Sequence, residues 1–225
     1  MNEVIFETVV STVDAAGVPH IAPMGVRYEG GGAVTGVGNG AGTGARTGAG
    51  TGAGTGASTS AGGQVVLMPF KPSTTYDNIV ATGHAVLNIV TDTRVFAGCV
   101  TGRRNWPLQP TTAVPGMRLQ VALSHVELRL AGIDGDAERP RLRMARVHEV
   151  QHAFFMGLNR AQAAVLEAAV LVSRLHMLPP GKVAAEMAYL QMAIDKTAAP
   201  AEHEAWAWLK AAIAAHPLHT KATTP

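Results

Sequence analysis

The sequence predicts an α+β protein in which strands come first and helices follow. Up to about Val150 the apolar residues fall in short β-branched or alternating runs. From Asn159 onward they recur at helical spacing. The period changes once, so strands and helices are segregated and do not alternate along the chain.

Taken in order, residues 4–13 (VIFETVVSTV) read as a strand, and Asp14-Ala15-Ala16-Gly17 as a turn. The next run, VPHIAPMGVRYEG, favours strand at Ile21, Val26 and Tyr28. Pro19 and Pro23 demand an edge, a bulge or an interrupted ladder there. Residues 36–63 hold twelve of the chain's 25 glycines and almost nothing able to pack. That composition cannot offset its own ordering entropy and predicts a flexible loop within an expanded hairpin. No register of it gives G-x-G-x-x-G or G-x-x-x-x-G-K, so a nucleotide loop is not read there.

Structure resumes with QVVLMPF as a strand, KPSTTYDNIVATG as a short helix closed by Gly83, and AVLNIV as a strand. VFAGCV, MRLQVALSHVELRL and RLRMARVHEV read as further strands, and the Pro-rich segment GRRNWPLQPTTAVPG as a loop. Asn159, with Gln162 three residues on, resembles a capping box. Val165, Ala168, Val172 and Leu175 then mark one face of a helix that Pro179-Pro180 stops. Val183, Met187, Leu190 and Ile194 mark a second helix, and Ala205, Leu209 and Ile213 a third.

The chain of 225 residues suits one large domain or a domain with an extension. Formal charge is +2 and the basic residues are dispersed without interleaved aromatics, which argues against a nucleic-acid partner. No apolar run approaches the roughly 20 residues of a membrane helix, and no signal-peptide pattern opens the chain. Cys99 is the only cysteine, so a reduced, cytoplasmic setting is the expectation.

The turn Lys71-Pro72-Ser73-Thr74-Thr75 joins a strand to the start of a short helix. Unpaired N–H groups and partial positive charge at a helix start suit a phosphate. Lys71 adds a full charge and the hydroxyls add donors. Taken alone, the turn reads first as a Ser73 N-cap beside a solvated lysine.

Strand, Lys-x-Ser-x-Thr, short helix and a strand with Val-x-Asn-Ile together resemble the flavin reductase-like split barrels. The chain resembles the DUF447 family of FMN-binding split-barrel proteins more closely. The matching blocks are I-A-P-M-G-V at 21–26, P-F-K-x-S-x-T-Y-x-N at 69–78, A-V-x-N-I at 85–89, F-F-x-G-x-N-R-A at 154–161 and E-A-A at 167–169. The resemblance implies a split β-barrel over residues 1–153 that binds FMN, followed by a C-terminal helical subdomain over 154–225. It also implies a homodimer with FMN near the subunit interface. Lys71, Ser73, Thr74 and Thr75 would hold the phosphate, Met24, Gly25 and Val26 would line the flavin, and Asn78 and Asn88 complete the expected set. Pro72 stands where glycine is more typical, and Met68 where arginine is common, which removes one cationic contact. A six-stranded barrel of this size is expected to close incompletely, which adds to the case for a dimer.

His148-Glu149-Val150-Gln151-His152 matches H-E-x-x-H, the zinc-hydrolase signature. The preceding alternation predicts a strand, on which the two histidines stand about 13 Å apart, too far to share a metal. The longer pattern with a third histidine fails as well, because Phe155 and Leu158 hold those positions. Cys99 reads as packed, not nucleophilic. The function expected is flavin-dependent oxidoreduction of an unnamed substrate. The family's company in one-carbon metabolism implies a pterin-linked step by analogy. The competing reading is a non-catalytic FMN carrier, and no catalytic residue is assigned.

Overall fold

The computed structural model describes residues 4–29 and 63–220. Eight strands, β1 (Phe6–Val13), β2 (Pro19–Glu29), β3 (Gln64–Leu67), β4 (His84–Ile89), β5 (Leu108–Pro110), β6 (Met117–Leu119), β7 (Ser124–Gly135) and β8 (Pro140–Gln151), are joined by two helices, α1 (Thr74–Thr82) and α2 (Arg94–Val100). Four more helices follow: α3 (Arg160–Ser173), α4 (Pro180–Thr197), α5 (Pro200–Ala215) and the short α6 (Pro217–Thr220).

Six strands form a closed antiparallel barrel in the order β1-β2-β3-β8-β7-β4, and β5 pairs with β6 outside it. Closure corrects the expectation of an incomplete ring. It runs through Val9–Asn88, Val10–Leu87 and Ser11–Val86, and the Asn88 amide reinforces that short seam by donating to Val9 O at 3.1 Å. The β2 prolines sit where a ladder tolerates them. β2 pairs with β3 only from Val26 to Glu29, so Pro19 and Pro23 have β1 alone as a neighbour. Glu29 opposite Gln64 makes the intervening segment a hairpin connection. The Gly/Thr-rich stretch 36–63 lies outside the described residues apart from Gly63.

Alternation along the strands makes two cores. Val10, Val26, Val65, Leu67, Leu87, Val126, Leu128, Leu142 and Met144 fill the barrel, and Ile79 of α1 joins them. Val9 and Ile21 face outward and pack with α2, α3, α4 and α5 in a second core. There α3 is central: Ala161, Ala164, Val165, Ala168, Ala169, Leu171 and Val172 are all buried. Small side chains let the surrounding helices approach closely, which explains why so alanine-rich a segment still makes a core.

Two local readings change. The stretch VFAGCV is helix α2, not strand. Asp92 accepts from the Arg94 backbone N–H at 3.1 Å and holds its guanidinium at 2.7 Å, which fixes the first turn. Gly98 lets Trp106 pack, since a Cβ there would meet the indole at 2.6 Å. The run from Met117 to Leu130 is interrupted, because Ala122 N donates to Leu119 O in a turn between β6 and β7. Asn159 caps α3 by accepting from Ala161 N and Gln162 N. Gln162 does not complete the expected box; its amide donates to Glu202 at 3.5 Å. α3 ends at Ser173, before the prolines, and Pro180 opens α4.

Candidate functional site

Chemistry-bearing side chains gather at two places, one at each end of the β7–β8 hairpin. The first surrounds the start of α1. Ser73 is its N-cap, accepting from Tyr76 N at 3.3 Å, so the plain reading of that serine holds. The N–H groups of Thr74 and Thr75 lie in the first turn, ahead of the helix's own ladder. Lys71 and Thr74 are exposed, Ser73 is half-buried, and Thr75 is buried. The Lys71 ammonium lies 4.3 Å from the centre of the Tyr76 ring, over the first turn.

Arg139 belongs to this place, and the sequence pattern did not point to it. Lys71 N donates to Glu138 O at 3.0 Å, which brings the β7–β8 turn alongside. Asp136 shapes that turn by accepting from Glu138 N at 3.0 Å and Arg139 N at 2.6 Å. The Arg139 guanidinium then lies 4.6 Å from the Phe70 ring, and its buried Nε has no hydrogen-bond partner. The segment leading into α1 and the turn bearing Arg139 thus lie side by side and carry two cations, first-turn N–H groups and hydroxyls, donor types suited to a phosphate dianion. No local pattern links residues 71 and 139; only the strand register does.

The other expected residues divide. Met24 is half-buried on β2, and Thr8 donates to its carbonyl at 2.9 Å. The close approach that Gly25 permits is taken by Ile5, whose Cγ2 would lie 2.6 Å from a Cβ there. Val26 has no exposed surface and points into the barrel, so its side chain cannot line a ligand. Asn78 is buried and donates to Thr12 at 3.0 Å, tying α1 to β1. Asn88, also expected in the cofactor set, has a structural place. It is fully buried, its amide donates to Val9 O and Ser11 Oγ, and its oxygen accepts from Leu119 N at 2.7 Å. Its polar capacity is spent on joining β4 to β1 and β6. Near Cys99, a cavity of about 290 Å³ is lined by Ile21, Ala22, Pro23 and Arg104. Burial pushes the Cys99 thiol up to about 11, which makes it a packing group.

The second place was not anticipated as a cluster. Glu127 of β7 is fully buried and accepts from Thr112 N, Ala113 N and Val114 N at 2.9, 2.6 and 2.8 Å. Burial alone would raise its pKa, but these donors and His125 hold it below the ordinary carboxylate range. His125 Nε2 lies 3.3 Å from Glu127 Oε1, and His125 Nδ1 lies 2.8 Å from His152 Nε2. The two imidazole planes are nearly parallel, 5° apart, with centroids 5.0 Å apart, so the rings meet edge to edge through this contact. Burial pushes His125 below its usual value against the pull of Glu127. His152, in contact with His125 by one ring edge and exposed overall, is lowered by partial burial, by Arg118 and by His125. The H-E-x-x-H run is strand through Gln151, with His148 opposite Glu127 and Val150 opposite His125.

Comparison with known proteins places this architecture. Models described as "Protein of unknown function (DUF447) N-terminal domain" and "Protein of unknown function (DUF447)" match residues 53–153 and 159–211, together more than half of the chain. The crystal structure of an FMN-bound protein from Methanosarcina mazei superposes with a TM-score of 0.68 at 17% identity, covering 94% of this chain and 96% of that one. That likeness shows the fold. Pseudomonas fluorescens 2-nitrobenzoate 2-nitroreductase matches at TM-score 0.45 and 17% identity over 65% of this chain and 64% of that one. The NADH:FAD oxidoreductase of Streptomyces globisporus matches at 0.43 and 6% over 67% and 72%. No curated protein matches. Its barrel, its helical end and both matched segments make this chain a member of the DUF447 family.

Proposed function

We propose that this chain is an FMN-binding flavoprotein that acts as a flavin-dependent oxidoreductase. The observation carrying the reading is the backbone bond from Lys71 to Glu138, which brings the turn bearing Arg139 alongside the segment that leads into α1. The FMN carried by the Methanosarcina mazei protein of the same fold supports it. Lys71, Ser73, Thr74 and Arg139 hold the phosphate, with Thr75 contributing its backbone N–H. Arg139 supplies the cation that Met68 cannot. The ring lies toward Met24 and Gly25, where Ile5 forms part of the wall. Val26, Asn78 and Asn88 keep the strands and α1 in place behind it. Bound FMN supplies hydride chemistry, and the protein binds, orients and excludes water.

A homodimer is part of the proposal. Tyr189 and Met192 of α4 are 71% and 51% exposed, an apolar surface for a second copy to cover. No helix among the described residues is long and apolar enough to cross a membrane, and the single cysteine fits a reduced compartment. A pterin-linked substrate rests on the family resemblance alone.

Titration of the apoprotein with FMN tests the reading: flavin fluorescence is quenched at a fixed stoichiometry and the melting temperature rises. A protein that leaves FMN fluorescence unchanged contradicts it. Anaerobic mixing of the loaded protein with NAD(P)H, followed by an oxidant, separates an enzyme from a carrier. Sedimentation with and without FMN tests the dimer, which FMN is expected to tighten.

A further inference from the structure

The Glu127–His125–His152 cluster lies outside the flavin reading. Its hydrogen bonds determine where the protons sit. Three backbone N–H groups point at the Glu127 carboxylate, and an N–H can only donate. The carboxylate therefore accepts, and His125 Nε2 carries a proton toward Oε1. A neutral His125 then has a bare Nδ1, which accepts from His152 Nε2–H. His152 in turn is left with an unprotonated Nδ1, and that atom makes no hydrogen bond among the described residues. One buried carboxylate thus fixes two tautomers and delivers a lone pair to the surface.

Directly after His152, residues Ala153 to Leu158 run without helix or strand, and their side chains are unusually apolar for an exposed loop. Phe154, Met156 and Leu158 are 83%, 94% and 97% exposed, and Phe155 is 56% exposed. A fixed base followed directly in the chain by exposed aromatic and aliphatic side chains suits a ligand with an acidic O–H or N–H on a flat apolar body.

We propose that His152 Nδ1 is the proton-accepting atom of a second site, which takes small aromatic O–H or N–H compounds. His125 and Glu127 act as positioning residues. In the exchange the ligand's proton passes to Nδ1, giving an imidazolium that still donates from Nε2 to His125, and it returns by the same path. Arg118, His148 and the Arg146–Glu149 ion pair border the cluster and set its field.

Long-range proton–nitrogen NMR on the full-length protein without added flavin tests this. At about pH 8, above the ordinary imidazole range, His152 is expected with Nε2 protonated and Nδ1 bare. Phenol should shift the His152 Nδ1 resonance, and anisole, which lacks the O–H, should not. In Glu127→Gln the single tautomer should give way to a mixture and the phenol response should be lost, while His148→Gln keeps both. The opposite tautomer at His152, or equal responses to phenol and anisole, would overturn the proposal. Those two readouts need only the unmodified protein, so they stand whether or not Glu127→Gln folds.

Discussion

The two ends of the β7–β8 hairpin are built on opposite principles. At the turn end, Lys71 and Arg139 stand near a helix start, with Asp77 in that helix's first turn and Asp136 in the turn that carries Arg139. At the other end, roughly 30 Å away along the strands, a carboxylate is buried and saturated with donors. In the first arrangement Lys71 lies over the Tyr76 ring and Arg139 over the Phe70 ring, and the proposed phosphate would meet them from outside. The second is electrostatically complete inside and exposes one imidazole. The two proposals, a site for a charged ligand and a site for proton exchange, thus rest on different amounts of burial at the two ends of one hairpin.

This contrast has consequences for stability. Glu127→Ala should have the largest effect, because it strands the buried Val114 N–H and His125 and removes the acceptor of Thr112 N and Ala113 N. A loss on the order of 3–5 kcal/mol is expected in urea unfolding. A loss under about 1 kcal/mol would mean that water replaces the carboxylate and that the cluster is open. Asn88→Ala comes next, at about 2–3 kcal/mol, since it breaks the seam that closes the barrel. If the same variant left stability intact and abolished FMN binding, Asn88 would be a ligand contact after all.

Acid should distinguish the ends as well. His125 and His152 are held below the ordinary histidine value and Glu127 below the ordinary carboxylate value. The unfolded chain therefore binds more protons than the folded one as pH falls. Stability should be level near neutrality, decline below about 6.5 and decline further below about 4.3. In His125→Phe/His152→Gln the upper step should shrink to what His20, also held below the ordinary value by burial, contributes, and the lower one remain. The smallest effect belongs to the turn end: Ser73→Ala removes an N-cap and should cost about 1 kcal/mol.

Much of the fold was legible in the sequence because periodicity reports burial. The Asn159 cap, the buried face of α3 and the β2–β3 hairpin follow from patterns within a few residues of one another. α2 was misread because Val95 and Phe96 favour strands, whereas the Asp92–Arg94 contact and packing against α3 and α5 decide for helix. Lys71 and Ser73 were legible because the whole turn is contiguous. Arg139 and the Glu127–His125–His152 cluster were not, since their members meet only through the register of β7 with β8 and the return of residues 112–114. H-E-x-x-H drew attention to His152 for the wrong chemistry. The motif's helical geometry is absent, and the partner that matters, His125, stands on the neighbouring strand.

The central claim is that Lys71 and Arg139 bind the phosphate of FMN, and affinity for FMN against riboflavin tests it most directly. Charge-assisted bonds contribute about 1.5–3 kcal/mol each, so Lys71→Ala and Arg139→Ala should each weaken FMN roughly tenfold. The double variant should weaken it roughly a hundredfold if the two act independently. Riboflavin, which lacks the phosphate, should bind all four proteins with nearly equal affinity. Equal losses for FMN and riboflavin would show that these residues shape the barrel end and do not contact a phosphate, and the account of this site would fail.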